Sequence, residues 1–200
     1  MEEACRFSAD GLMLEALYEN RSETRAVVIT HPHPLYGGTM HNPVVDSIRK
    51  AYHAKGYSTL RFNFRGVGKS MGEHDQGLGE INDIFAARDF LINQGYTRID
   101  LTGYSFGAWV NLMATRSAHG FDGLVLVSPP VDFIEFEMIS NISTLNLVIS
   151  GGRDEYASCE HIKKQLKNWN KSAIFIEIPG ADHFYTGELG LLQKTLEERL

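Results

Sequence analysis

At 200 residues, with 43% hydrophobic and 22% charged residues, the chain has the composition of an ordinary globular protein folding as a single domain over residues 1–200, and not that of a disordered one. Its formal net charge is −6 and its 19 Lys and Arg are scattered without a basic stripe, so neither nucleic acid nor an anionic membrane is expected as a partner. The acidic start Met1-Glu2-Glu3-Ala4-Cys5 lacks a signal-peptide pattern and no apolar run approaches a bilayer's span, which points to a cytoplasmic protein.

In chain order, Asp10-Gly11 is suited to a tight turn and is followed by Leu12 to Tyr18, which reads as an opening antiparallel hairpin. Six apolar runs follow with the look of buried strands: 26–30, 58–64, 99–102, 123–127, 145–150 and 173–178. Helical patterns fill the intervals. Asn42-Pro43 supplies an N-cap and a first-turn proline ahead of Val44, Val45, Ile48 and Tyr52, with a stop at Gly56. A second helix directs Ile81, Ile84, Phe85, Leu91 and Ile92 inward and ends near Gly95. Others follow Ser105, cover Ile162, Leu166 and Trp169, and close the chain with Leu189, Leu192, Leu196 and Leu200. This alternation predicts an α/β fold: a doubly wound, mostly parallel sheet preceded by an N-terminal antiparallel hairpin.

Chemistry concentrates at predicted strand ends. Gly103-Tyr104-Ser105-Phe106-Gly107 stands where a buried strand meets a helix, the setting in which a serine is exposed on a strained turn and flanking glycines allow close packing. Asp154 follows the strand ending at Ser150, and His183 follows the one ending at Ile178. All parallel strands present their carboxyl ends on one edge, so Ser105, Asp154 and His183 are expected to converge there. Asp132 is a rival acid after the strand ending at Val127, and Asp182 is disfavoured because it points elsewhere in a tight loop. Taken singly, Asp154 and His183 could simply cap helices near Tyr156 and Phe184.

Together with His31-Pro32-His33-Pro34-Leu35-Tyr36-Gly37-Gly38, Phe64-Arg65-Gly66-Val67-Gly68-Lys69-Ser70, Gly151-Gly152-Arg153-Asp154 and Gly180-Ala181-Asp182-His183, these motifs make nearly the whole chain resemble the α/β-hydrolase superfamily. The resemblance is closest to its small, cap-less, esterase-like members related to the dienelactone hydrolases. It implies a catalytic triad of Ser105, Asp154 and His183, acting on a small-molecule ester through an acyl-serine, with no cofactor. A thioesterase, peptidase or acyltransferase could use the same residues, and a binding protein could retain the fold without activity.

The resemblance also implies an oxyanion hole. One donor is the Phe106 N–H; the other comes from the loop 31–38, where Pro32 and Pro34 have no N–H. That leaves Leu35 or His33, with Leu35 favoured. His31, His33, His41 and His74-Asp75 admit a metal site, but their spacing fits no familiar zinc motif and no metal is expected. Cys5 and Cys159 likewise fall outside metal and redox spacings. Gly-Lys-Ser at 68–70 fails as a phosphate loop because Asn63 replaces the required first glycine, so a turn is expected there. The interval 128–144 is too short for a helical cap, which predicts an open site walled by Phe133, Ile134, Phe136, Met138, Tyr36 and Phe184.

Overall fold

The computed structural model describes residues 1–117, 120–136 and 139–200. Strands β1 (Glu3–Ala9) and β2 (Leu12–Glu19) pair antiparallel, with Ala9 opposite Leu12. The two residues between them, Asp10 and Gly11, both have positive φ (52° and 81°), as a two-residue hairpin turn with the right twist demands.

The rest alternates: β3 (Arg25–Thr30), α1 (Pro43–Ala54), β4 (Ser58–Phe62), α2 (Leu78–Asn93), β5 (Arg98–Tyr104), α3 (Phe106–Ser117), β6 (Gly123–Val127), β7 (Leu145–Gly151), α4 (Cys159–Trp169), β8 (Ile174–Ile178) and α5 (Leu189–Arg199). All six sequence-predicted runs are strands. They form one sheet in the order β1-β2-β4-β3-β5-β6-β7-β8, parallel from β4 to β8. β4 stops two residues short of expectation because the Phe64 N–H is taken by His31 Nε2 at 3.0 Å and the Asn63 side chain turns to Met40 and Glu15.

Period-two alternation along β3 divides the core. Ala26 and Val28 face α2, α3 and α4, whereas Val27 and Ile29 face α1 and α5. Each fully buried Val or Ile side chain contributes about 1.5–3 kcal/mol relative to exposure. Asn42 caps α1 as expected, its Oδ1 accepting the Val44 N–H at 2.9 Å. On α2 the expectation holds for Ile84 and Leu91, which are buried, but Ile92 is half exposed on the outer face. No described helix is long and apolar enough to cross a membrane.

The topology also locates the site. The chain leaves β3 toward β4 on one side, while β5 leads away toward β6 on the other, and β3 and β5 are neighbours with Thr30 opposite Gly103. A crevice therefore opens between the loops that follow them, at the carboxyl edge.

Candidate active site

Ser105 sits between β5 and α3 with φ +56°, in the left-handed region a non-glycine residue rarely enters. Its N–H is held by the Val127 carbonyl at 3.0 Å. The flanking glycines permit the turn, because a Cβ on Gly103 would collide with the Thr30 hydroxyl and the Asn111 amide, and one on Gly107 with Thr30 and the His31 carbonyl. Backbone packing thus pushes the serine out of the sheet into the crevice.

Ser105 Oγ lies 2.9 Å from His183 Nε2, and His183 Nδ1 lies 2.9 Å from both carboxylate oxygens of Asp154. With Nδ1–H donating to the carboxylate, Nε2 carries the lone pair and accepts from the hydroxyl. The three residues are 8%, 7% and 5% exposed, so little water competes for these bonds. A hydroxyl so arranged can pass its proton to the imidazole as its oxygen attacks an electrophile.

Asp154 is fixed as well. Its Oδ1 accepts the N–H groups of Tyr156 (3.0 Å) and Ala157 (2.9 Å), closing the loop after β7, although α4 begins only at Cys159. The His183 loop is anchored from beneath by the Tyr104 hydroxyl, which donates to the His183 carbonyl at 2.8 Å, and by Tyr185, whose hydroxyl meets Ser128 Oγ at 2.9 Å. Asp132 is elsewhere: it accepts the Ser158 N–H at 2.7 Å and pairs with His161. Asp182 accepts the Thr186 N–H at 2.9 Å and turns away from the imidazole.

The loop after β3 corrects one expectation. Leu35 is exposed, lies outside the cleft wall, and gives its N–H to His33 Nδ1 at 3.2 Å. The N–H groups of Tyr36 and Gly38 are likewise spent on the His33 carbonyl, and that of Gly37 on Pro34. Leu35 is therefore not available as a donor; His33, which lines the cleft, has an N–H with no hydrogen-bond partner among the described residues. The His33 ring packs on the Phe106 ring at 4.7 Å between centroids.

His31 is wholly buried, with Nδ1 2.6 Å from the Pro32 carbonyl and Nε2 accepting the Phe64 N–H, and burial lowers its pKa to about 4. Both ring nitrogens are engaged in bracing the loop. His33 is also shifted downward, by burial and then by its neighbour His74. His74 itself is bound through Nδ1 to Glu80 at 2.7 Å. The described residues contain no cluster of three metal-ligating groups. The Gly-Lys-Ser segment is a turn, in which Ser70 Oγ donates to the Asn63 carbonyl at 2.7 Å and accepts the Glu15 N–H at 3.0 Å. Cys159 is a free thiol pushed up to about 11 by burial.

A cleft of about 400 Å³ surrounds Ser105. Its wall contains Tyr36, Phe133, Ile134 and Phe184 as expected, but Phe136 is buried against Trp169 in the core, at 5.2 Å between centroids. Met138 lies outside the described residues. Tyr156, Pro130 and Asn42 also line the cleft and had no signal in the sequence. The rings form a collar: Tyr36 to Phe133 at 6.2 Å, Phe133 to Tyr156 at 6.0 Å, Tyr156 to His183 at 4.9 Å and His183 to Phe184 at 5.6 Å. No Asp, Glu, Lys or Arg is part of this wall among the described residues. Among the described residues of 128–144 there is no helix to form a cap over the cleft.

Comparison with known proteins agrees with this fold. Residues 43–176 match the model of the prolyl oligopeptidase family. An uncharacterized protein of Rickettsia prowazekii (strain Madrid E) is 31% identical over 199 residues, 94% of this chain and 84% of the relative. The structure of an α/β serine hydrolase homologue from Coxiella burnetii superposes with a TM-score of 0.91 at 33% identity, covering 99% of this chain and 97% of the other. That of a serine hydrolase without a lid from Xanthomonas campestris gives 0.89 at 28% identity, covering 98% and 92%.

Proposed function

The chain belongs to the prolyl oligopeptidase family, within the α/β-hydrolase superfamily and among its small esterase-like members, and on that premise we propose that it hydrolyses carboxylic esters of small neutral substrates through an acyl-Ser105 intermediate. The observation that carries this reading is the unbroken hydrogen-bonded line from Asp154 through His183 to Ser105 at the floor of an open apolar cleft.

In the first step Ser105 Oγ bonds to the acyl carbon, its proton passes to His183 Nε2, and the carbonyl π electrons move onto oxygen. Collapse expels the alcohol, which takes the proton from His183. Water, deprotonated by the same nitrogen, then attacks the acyl-serine, and the proton returns to Ser105 as the acid leaves. Asp154 keeps the imidazole in the tautomer that each step requires and stabilises the transient imidazolium. A thioester would follow the same course.

The developing oxyanion needs donors fixed in advance, each worth roughly 3–4 kcal/mol. We assign these to Phe106 and His33. Phe106 is the first residue of α3, so its N–H has no partner within the helix, and His33 holds the N–H its own loop leaves unspent. Peptide-bond hydrolysis by the same three residues is the second reading. It draws on the family match, while the described residues of the cleft wall include no charged group to pair with a peptide terminus.

The test is labelling with a fluorophosphonate probe and mapping of the adduct. Modification of Ser105, with Ser105→Ala both unlabelled and slower by roughly four to six orders of magnitude on p-nitrophenyl butyrate, is the expected result. Labelling elsewhere, or turnover within about tenfold of wild type in Ser105→Ala, would overturn the nucleophile assignment.

A further inference from the structure

Beside the Ser105 cleft lies a second acid–imidazole pair that the proposed chemistry does not use. Glu80, in the first turn of α2, is fully buried. Its Oε2 accepts the Gly77 N–H at 2.8 Å, and its Oε1 accepts the Asp75 N–H at 2.9 Å and meets His74 Nδ1 at 2.7 Å. Those first two bonds close the loop leading into α2 and would suffice for a purely structural role. The third fixes the orientation of the His74 ring, which is directed at two particular neighbours. Its centroid is 5.1 Å from that of His33 and 5.5 Å from that of Phe106. His33 and Phe106 are the residues whose backbone N–H groups are assigned to the oxyanion, and their own rings pack together at 4.7 Å.

The loop bearing His33 is braced at its start by His31, and beyond that point the His33 ring is its next inward contact. Leu35 and Tyr36 are exposed, and its internal hydrogen bonds converge on His33 itself: Leu35 N–H to Nδ1, Tyr36 and Gly38 N–H to the carbonyl. Whatever holds the His33 ring therefore adds a second anchor to the loop beside His31. From these contacts we propose that His74, held by Glu80, is a positioning residue for the oxyanion hole, keeping the His33 and Phe106 backbones aligned by ring contact with both. The inference rests on the serine-hydrolase reading above. It places no bond between His74 and substrate.

Donors of this kind act more strongly on the transition state than on bound substrate, so loss of alignment should appear in kcat and leave KM nearly unchanged. With p-nitrophenyl butyrate, His74→Ala should lower kcat by about 10- to 100-fold with KM within about threefold of wild type. His74→Phe, which keeps a flat ring but loses the bond to Glu80, should recover only part of the kcat lost in His74→Ala.

A readout that a merely structural role would not move is a matched pair of inhibitors. A trifluoromethyl ketone adds Ser105 Oγ to its carbonyl carbon, placing an oxyanion in the hole; the corresponding methyl ketone binds without adding. His74→Ala should weaken the first by about 10- to 100-fold and the second by less than about threefold. Should His74→Ala fail to fold, His74→Leu, which fills the space without a flat ring, is expected to give the same ratios.

Unchanged kcat in His74→Ala, equal weakening of both ketones, or a His74→Phe variant as slow as His74→Ala would overturn the positioning role. If Ser105→Ala turns over the ester at the wild-type rate, the underlying hydrolase reading fails, and this inference with it. If Ser105→Ala is inactive while His74→Ala is unimpaired, only the positioning role is lost.

Discussion

Nδ1 of His183 is 2.9 Å from each carboxylate oxygen of Asp154, and one of those oxygens also accepts the Tyr156 and Ala157 N–H groups. The loop-closing and the imidazole-orienting roles of this aspartate therefore coexist. A carboxylate that must satisfy two backbone donors cannot rotate away from the histidine, so its structural bonds pre-organise its chemical one.

Replacing Asp154 by Asn puts an amide where the imidazole N–H needs an acceptor, and the ring can then settle in the wrong tautomer. The expected loss in kcat is about ten-thousandfold. Asp132→Asn should leave kcat within about threefold, because Asp132 is bound to Ser158 and His161 and does not touch His183. Steady-state kinetics on the two variants, with circular dichroism to verify folding, decide the matter; a reversal of the two losses would move the acid to the earlier loop.

Tyr104 lies beneath the triad, with its buried hydroxyl donating to the His183 carbonyl. Tyr104→Phe keeps the ring but strands that carbonyl, at a cost of about 1–3 kcal/mol. For a chain of this size each kcal/mol lowers Tm by about 2–4 °C. Calorimetry should show that loss together with a fall in kcat of about tenfold, since the His183 loop loses an anchor. An unchanged Tm would mean that the carbonyl finds another donor.

His31 makes acid stability sensitive to its own protonation. Its folded pKa, about 4 through burial, lies below the roughly 6.5 of an unfolded histidine. Between those values the unfolded chain binds the extra proton and the folded chain does not, so stability rises with pH. The contribution is complete above about pH 6.5 and is lost as pH falls toward 4, amounting to roughly 3 kcal/mol. Denaturant titrations from pH 4 to 7 should show this slope in the wild type and a shallower one in His31→Gln. An identical slope in both would assign the effect to other groups. Because both His31 nitrogens are engaged within the protein, EDTA is expected to leave esterase activity unchanged.

Much of this was legible in the sequence, for reasons that can be localised. Strands covered on both faces are continuous apolar runs, so β3 and β5 to β8 could be seen, and a parallel sheet gathers whatever follows those strands on one edge. That is enough to bring Ser105, Asp154 and His183 together. What stayed hidden depends on where hydrogen bonds close within loops. The choice between His33 and Leu35 turns on a 3.2 Å bond from the Leu35 N–H to the His33 ring, which no spacing rule encodes. Phe136 and Phe133 are indistinguishable in composition; one is buried against Trp169 and the other is half exposed at the cleft. Tyr156 joins the collar through the turn its N–H closes on Asp154, which sets its ring beside His183.

The collar sets the last prediction. A cavity of about 150 Å³ takes up benzene, so a cleft of about 400 Å³ accommodates one aromatic ring with a short linker, or an acyl chain of a few carbons. Edge-to-face contacts such as that of Phe133 with Tyr156 favour an aromatic ring over an alkyl group of equal area by about 0.5–1.5 kcal/mol. Each methylene reaching past the rim forfeits about 0.8 kcal/mol of transfer energy, so lengthening the acyl chain should stop increasing kcat/KM once the cleft is full. A carboxylate on the acyl group would lose its hydration with no Lys or Arg among the described residues of the wall to replace it. Across p-nitrophenyl esters, kcat/KM should peak at short acyl chains, exceed that peak with phenylacetate, and fall at least about tenfold for the hemisuccinate relative to the butyrate. With no helix among the described residues of 128–144 to act as a cap, the rate should show no jump when a long-chain ester passes its solubility limit. Tyr156→Leu should remove the advantage of phenylacetate over its cyclohexyl counterpart while leaving the butyrate rate within about threefold. A peak at long chains, or a rate jump on micelle formation, would require a deeper acyl channel or a closing element over Ser105.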